Sequence, residues 1–330
     1  MIRLSVRCAS ALALLVLSAS VFQAAAQQQV PVAPAQEPSA PAPAASAAPQ
    51  FPKPDPANFS ASVPSKETVN DFLQTSWGYD DTRMWQVQAI LKTPVEGISK
   101  VVVYVGDKSG KQKPFALQFF TLPDGKHIIA DTDIVTFGAH PFADVHATLL
   151  QRADGPYRNS SSKDLELVEF ADFQCPHCKE AQANMDKLVV DFPKARIVFQ
   201  NSPIASLHPE AVIAAAYGVC VTKQGGSTAF FQYAAAVFDG QDGLATPDGA
   251  TLTLNSAVTK AGLDPAKIAA CAATPPVQAQ VDASVKLAAE LGISSVPTLV
   301  INGRQVSATL PYGTLKQIIE FQAKEDGVTP

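Results

Sequence analysis

Apolar positions along this chain change their period twice. After residue 62 a short helical rhythm over residues 65–74 gives way to β-rich runs at 85–91, 101–105, 115–120 and 128–130. Pro123-Asp124-Gly125 separates the last two runs and is a strong turn signal. These features predict a small α+β domain over residues 62–159, built on an antiparallel sheet. Residues 155–163 read as its exit linker. Residues 165–170 then form a short unbroken apolar run, as a central strand does. A helical stretch to about Val190 and a strand at 197–199 follow. From His208 to Leu291 the pattern is mostly helical, clearest at 211–216, and Val281, Val285, Ala288 and Leu291 recur at helical spacing before the stop at Gly292. Residues 296–304 predict a strand, an Asn302-Gly303 turn and the start of a hairpin partner. Leu315, Ile318 and Ile319 share one face of a closing helix. The order in residues 160–330 is thus β-α-β, helices, β-β-α, an α/β arrangement.

Before residue 62 no period holds. Residues 27–61 are dominated by proline and alanine and predict a disordered, polyproline-like linker. Residues 1–26 carry Arg3 and Arg7, an apolar stretch over 9–21 and then Ala24-Ala25-Ala26. A positive start, a short apolar core and a small-residue site predict a secretory signal peptide. The stretch is shorter than the ~20 residues a membrane span needs. Cleavage after Ala26 would remove Cys8 and take the net charge from −5 to −7. The expected location is periplasmic or secreted. With 17% charged residues and no basic stripe, nucleic acid is not an expected partner.

The mature chain keeps Cys175, Cys178, Cys220 and Cys271. Disulfides persist in an oxidising compartment, and four cysteines allow three pairings. Cys175-Pro176-His177-Cys178 lies at a predicted strand-to-helix junction. A cysteine at a helix N-terminus meets unpaired amides and the positive end of the helix dipole. Those can lower a thiol pKa from about 8.5 to roughly 3.5–7.5, which stabilises the reduced form and makes the disulfide more oxidising. Pro176 suits the first helical turn because it has no amide hydrogen to lose. His177 adds a dipole and a potential positive charge. Half of a zinc site is the competing reading, but Cys220 and Cys271 lack the paired spacing that would complete one. No metal or cofactor is expected, because the cysteine pair itself carries the redox equivalents.

Glu169-Phe170-Ala171-Asp172-Phe173-Gln174 leading into the Cys-Pro-His-Cys motif resembles the DsbA-like branch of the thioredoxin superfamily. So do His208-Pro209-Glu210-Ala211, Phe230-Phe231-Gln232-Tyr233, Gly262-Leu263-Asp264 and residues 292–303. The resemblance covers about residues 163–325. It implies a thioredoxin fold with a helical insertion at about 204–293. It further implies that Cys175 is the exposed nucleophile, Cys178 the buried resolving cysteine and Pro297 a cis-proline facing the motif. Val296 would contact the substrate chain. Glu169 would be a buried acid below Cys178, placed to accept its proton. The family often carries a further disulfide in the insertion. With Cys175 and Cys178 engaged in the redox pair, Cys220 and Cys271 are the expected partners. Residues 119–129 are similar to the strand-turn-strand of the dimerisation domains of DsbC and DsbG, which implies a homodimer. Trp77, Trp85, His127, His140 and His146 read as core or surface residues rather than a site.

The expected function is formation or rearrangement of disulfides in exported proteins, with a membrane redox partner regenerating the cysteine pair. A thiol reductase dedicated to one partner and a chaperone-like binding module are the rival readings. The intact cysteine pair speaks against the last.

Overall fold

The computed structural model describes residues 51–110, 113–131 and 133–330. The expected signal peptide and residues 27–50 of the expected linker lie outside them. Two five-stranded sheets carry the apolar runs. The first is an antiparallel meander of β1 (Arg83–Lys92), β2 (Ser99–Asp107), β3 (Phe115–Thr121), β4 (His127–Ala130) and β5 (Asp133–Thr136), in that order. Asp124 shapes the β3–β4 turn by accepting from the Lys126 and His127 amides at 2.9 and 3.1 Å. Helix α1 (Lys66–Trp77) is capped by the Ser65 hydroxyl, which accepts from the Thr68 amide. Its Val69, Phe72 and Leu73 pack on Val87, Ile90, Val101, Phe119 and Ile128.

The end of the predicted linker is not free. Gln88 donates to the Pro52 carbonyl at 3.0 Å, and the Ala61 amide donates to the Ile90 carbonyl at 3.0 Å. Residues 51–61 therefore cover β1, an edge strand whose outward groups would otherwise stay unpaired.

The second sheet has the order β10-β9-β7-β8-β6. Its strands are β6 (Tyr157–Asn159), β7 (Glu166–Ala171), β8 (Arg196–Asn201), β9 (Thr298–Ile301) and β10 (Arg304–Ser307). Central β7 runs parallel to β8 and antiparallel to β9. Helices α3 (Pro176–Asp191) and α8 (Tyr312–Glu325) cover one face, where Ala181, Met185, Leu188, Leu315 and Ile318 meet Leu167, Ile197, Leu299 and Ile301. On the other face Leu149 and Ala153, with Leu287 and Ala288 of α7 (Pro275–Glu290), pack on Val168, Phe170, Val198 and Val300.

Leu149 belongs to α2 (Ala143–Arg152), a helix the sequence pattern does not signal. Together α2 and β6 move the domain boundary. The predicted border at residues 159/160 cuts through the second sheet, because Tyr157, Arg158 and Asn159 pair with β8. The predicted linker at 155–163 contains that strand. Strand β6 has three residues and no period to read; its partner defines it.

The insertion comprises α4 (Ala211–Asp239), α5 (Pro247–Lys260), α6 (Pro265–Ala272) and α7. Helix α4 breaks at Gly226, whose φ of +71° only glycine adopts readily. Cys220 of α4 and Cys271 of α6 are joined by a disulfide with a Cα–Cα distance of 6.0 Å. Phe173 lies among Phe199, Phe230, Tyr233 and Phe238, which fuses the motif loop to the insertion. Each such buried ring contributes about 1.5–3 kcal/mol.

Arg304 ties the two sheets together. It donates to Gln322 Oε1 at 2.9 Å, to the Ser76 carbonyl at 3.0 Å and to the Thr75 carbonyl, and its guanidinium lies 4.3 Å from the Phe142 ring centroid. It thereby satisfies carbonyls at the C-terminal end of α1. Burial lowers its pKa to about 10. Among the described residues no helix is long and apolar enough to cross a membrane.

Candidate active site

Strand β7 ends at Ala171, and after three intervening residues Cys175 is the N-cap of α3, in extended backbone conformation with Pro176 at the first helical position. The Cys178 and Lys179 amides donate to the Cys175 carbonyl at 3.1 and 3.3 Å. Both thiols are free. Cys178 is fully buried, and Cys175, expected to be exposed, keeps only 5% of its surface. Part of its cover is the Val296 carbonyl, 3.9 Å from the Cys175 sulfur, to which the thiol donates. The Val296–Pro297 peptide is cis, directly before β9. The chain around this cis bond thus lies against the motif through the Val296 carbonyl.

The two thiols are driven apart in acidity. A hydrogen bond from Cys178 does most to lower the Cys175 pKa to about 6, helped by the Cys178 and His177 amides and opposed by burial and by Asp172. The same pairing, followed by burial, pushes the Cys178 thiol far above its ordinary range. One proton is held by Cys178 while the charge rests on Cys175. His177 acts here through its main-chain amide. Its imidazole is 70% exposed and 3.1 Å from Glu180, whose hydrogen bond raises the His177 pKa. The cap position therefore matters more than the imidazole charge that the sequence suggested.

Glu169, on β7, is buried, and that burial raises its pKa to about 7 against the opposing pull of Arg158 and Gln182. Gln182 of α3 donates to Glu169 Oε1 at 2.9 Å and to the Cys178 carbonyl at 3.1 Å. A carboxyl group that titrates near neutrality beside a thiol that holds its proton can exchange protons with it at pH 7.

Other residues shape the site without having been singled out from sequence. Gln241 donates to the Phe173 and Cys175 carbonyls at 2.8 and 3.0 Å. Gln174 donates to the Leu244 carbonyl and accepts from the Glu210 amide, both at 2.9 Å. The insertion therefore holds the motif loop from both sides. Asp172 is buried and binds His208. Asp172, Gln174 and His208 all lie in the stretches that carry the family resemblance. A solitary acid between Ala171 and Phe173 was the one available signal for Asp172. Among the described residues no group of three or more His, Cys, Asp or Glu is placed to hold a metal.

Residues 159–321 match the family model described as Thioredoxin, just under half of the 330-residue chain. Among curated proteins, a Na(+)/H(+) antiporter NhaA 3 of Salinispora tropica is 34% identical over 68 residues, which is 21% of this chain and 10% of the antiporter. This chain thus spans about a tenth of that relative's length. Among solved structures, a thioredoxin-like oxidoreductase from Silicibacter pomeroyi is 24% identical with a TM-score of 0.46, over 54% of this chain and 96% of the other. DsbA2 of Pseudomonas aeruginosa is 25% identical with a TM-score of 0.43, over 51% and 93%. On the family match and its own strand order, residues 159–321, which hold Cys175 and Cys178, form a domain of thioredoxin fold.

Proposed function

We propose that this chain is an exported thiol-disulfide oxidoreductase that forms or rearranges disulfides in exported proteins. The carrying observation is the asymmetry of the pair: Cys175 is lowered to about 6 while Cys178 keeps its proton. A thiol with that value is about nine-tenths ionised at pH 7. In the oxidised protein, a substrate thiolate attacks the Cys175 sulfur. The Cys175–Cys178 bond breaks, a mixed disulfide forms, and Cys178 leaves as a thiolate and takes a proton. A second substrate thiolate then attacks the substrate sulfur and expels the Cys175 thiolate. The substrate gains a disulfide, and its two electrons rest on the pair. A membrane redox partner would return the pair to the disulfide. Glu169, whose raised pKa of about 7 keeps part of it protonated near neutrality, would supply the proton that Cys178 takes. In the reverse direction the Cys175 thiolate attacks a misplaced disulfide.

A stable Cys175 thiolate is a stable reduced form, which favours net oxidation of substrates. Equilibration with glutathione tests this. A potential well above the about −270 mV of thioredoxin, toward the about −120 mV of strong oxidases, is expected. A value at or below the thioredoxin level would favour the dedicated reductase. A protein that exchanges with no disulfide would be the binding module.

One observation favours an isomerase. In the first sheet β5 is an open edge on which Ile134 is 67% exposed. Ile134 pairs with Ile129, and Ile129 with the exposed Phe120, so an apolar row runs out to that edge. Pairing of two such edges would make a homodimer with two active sites. Light scattering on the chain from residue 27 onward decides this: a monomer at micromolar concentration removes the dimeric isomerase. The exported location rests on the signal-like residues 1–26.

A further inference from the structure

The Asp172 side chain is 0% exposed and lies beside both cysteines. Its main-chain carbonyl accepts from the Cys175 amide at 3.2 Å, and its own amide donates toward the Cys178 sulfur at 3.4 Å. Its carboxylate is held by three donors. Oδ1 accepts from the Gln174 amide at 2.7 Å, and Oδ2 accepts from the Ile204 amide at 2.8 Å and from His208 Nδ1 at 2.9 Å. His208 is mostly buried and reaches in from the turn before α4, 36 residues away in sequence. Its amide donates to the Ile204 carbonyl at 2.9 Å, so one turn presents two of the three donors.

A negative charge this close opposes ionisation of Cys175, and the Asp172 carboxylate does so. The fold has thus placed an anion next to the thiol whose anionic form the exchange chemistry uses. An imidazole N–H that binds the anion withdraws part of its field from the thiol. The other titratable groups near the cysteines leave this role open. Cys178 is the redox partner, His177 pairs with Glu180, and Glu169 is bonded to Gln182.

We propose that His208 is a positioning residue for thiol exchange: by binding the buried Asp172 carboxylate it shields Cys175 from that charge and fixes the loop that leads into α3. The inference rests on the proposed exchange at Cys175. It goes beyond it by giving the insertion a share in setting the reactivity of the pair.

The test is ultraviolet thiolate titration of the reduced full chain and of its variants. It needs no substrate, and so it stands or falls apart from the exchange reading. Three variants are compared with the native chain: His208→Ala, His208→Asn, whose amide keeps a donor, and Asp172→Asn, which removes the charge. Circular dichroism selects the variants that fold. His208→Ala should raise the pH of Cys175 ionisation by about half a unit to one unit, a three- to tenfold change in the thiolate equilibrium. His208→Asn should recover most of that, and Asp172→Asn should move it the other way. In the Asp172→Asn background, His208→Ala should have no further effect. An unchanged titration in folded His208→Ala overturns the proposal, as does an equal shift with and without the Asp172 charge. Should His208→Ala fail to fold, the titration of His208→Leu, which also lacks the donor, with and without Asp172→Asn decides by the same rule. Absence of any exchange with glutathione in the native chain would defeat the functional reading and leave this result standing.

Discussion

Cys178 and Glu169 share one amide: Gln182 Nε2 donates to the Glu169 carboxyl at 2.9 Å and to the Cys178 carbonyl at 3.1 Å. The Cys178 main chain and the buried acid are therefore linked by a residue one helical turn beyond the motif. Burial raises the acid to about 7. This relationship gives the site a proton donor and acceptor whose state changes around neutral pH.

Glu169→Gln keeps the shape and removes the titration. The exchange step in which Cys178 leaves should slow by about 10²-fold, at the lower end for a positioned acid or base. The pH dependence of that step near 7 should flatten. Stopped-flow measurement of mixed-disulfide resolution between pH 5 and 9 checks both.

The same group sets a stability signature with a definite sign. Its folded pKa of about 7 lies above the ordinary 4.5, so between those values the folded chain binds more protons than the unfolded one. Stability is thus lost as pH rises from about 4.5 through 7, by roughly 3 kcal/mol when complete. Glu169→Gln should melt later than the native chain at pH 8, and the gap should shrink toward pH 5. Denaturant melts of the oxidised proteins, in which Cys175 and Cys178 do not titrate, measure this.

Cys175 works with the opposite sign. Its folded value of about 6 lies below the ordinary 9.0, so the reduced protein holds extra stability above the ordinary value and loses it as pH falls through 6. Reduced and oxidised melting temperatures should therefore diverge in favour of the reduced form between pH 5 and 8. Cys175→Ser should abolish both this trend and all exchange, whereas Cys178→Ser should trap mixed disulfides visible on a non-reducing gel.

The Cys220–Cys271 bridge spans 51 residues of the insertion. Replacing both cysteines by alanine should cost about 4 kcal/mol through loop-closure entropy. The Cys175–Cys178 potential should stay nearly unchanged, because the hydrogen bonds that hold the motif loop involve Asp172, Gln174 and Gln241 rather than the bridged cysteines. Chemical denaturation and glutathione equilibration of the double variant read the two quantities separately.

Arg304→Ala leaves the Thr75 and Ser76 carbonyls without their donor in a buried interface. A loss of about 3 kcal/mol and faster proteolysis just after α1 are expected. Arg304→Lys should rescue little, since an ammonium cannot span two carbonyls, Gln322 and the Phe142 ring face at once.

Local pattern alone made much of this molecule legible. β-rich runs announced four strands of the first sheet, and the apolar run before Cys175 announced β7. A C-x-x-C at a strand-to-helix junction needs only neighbouring residues to place a thiol at a helix N-terminus, so its chemistry could be read in one dimension. The lowered pKa of Cys175 comes first from its pairing with Cys178 and only then from the amides at that terminus, and Cys178 is raised by the same pairing and by burial. Tertiary structure decided the rest. Strand β6 exists because β8 offers it partners, and residues 51–61 settle because the edge of β1 needs cover. Helix α2 owes its place to the apolar face of the second sheet, with one fully buried side chain of its own. Asp172 meets His208 across 36 residues, and Arg304 meets Thr75 across 229. Each of these pairs a short or polar element with a distant partner. A buried charge or a lone edge carries no period of its own, and its free energy depends on which groups the folded chain brings to it.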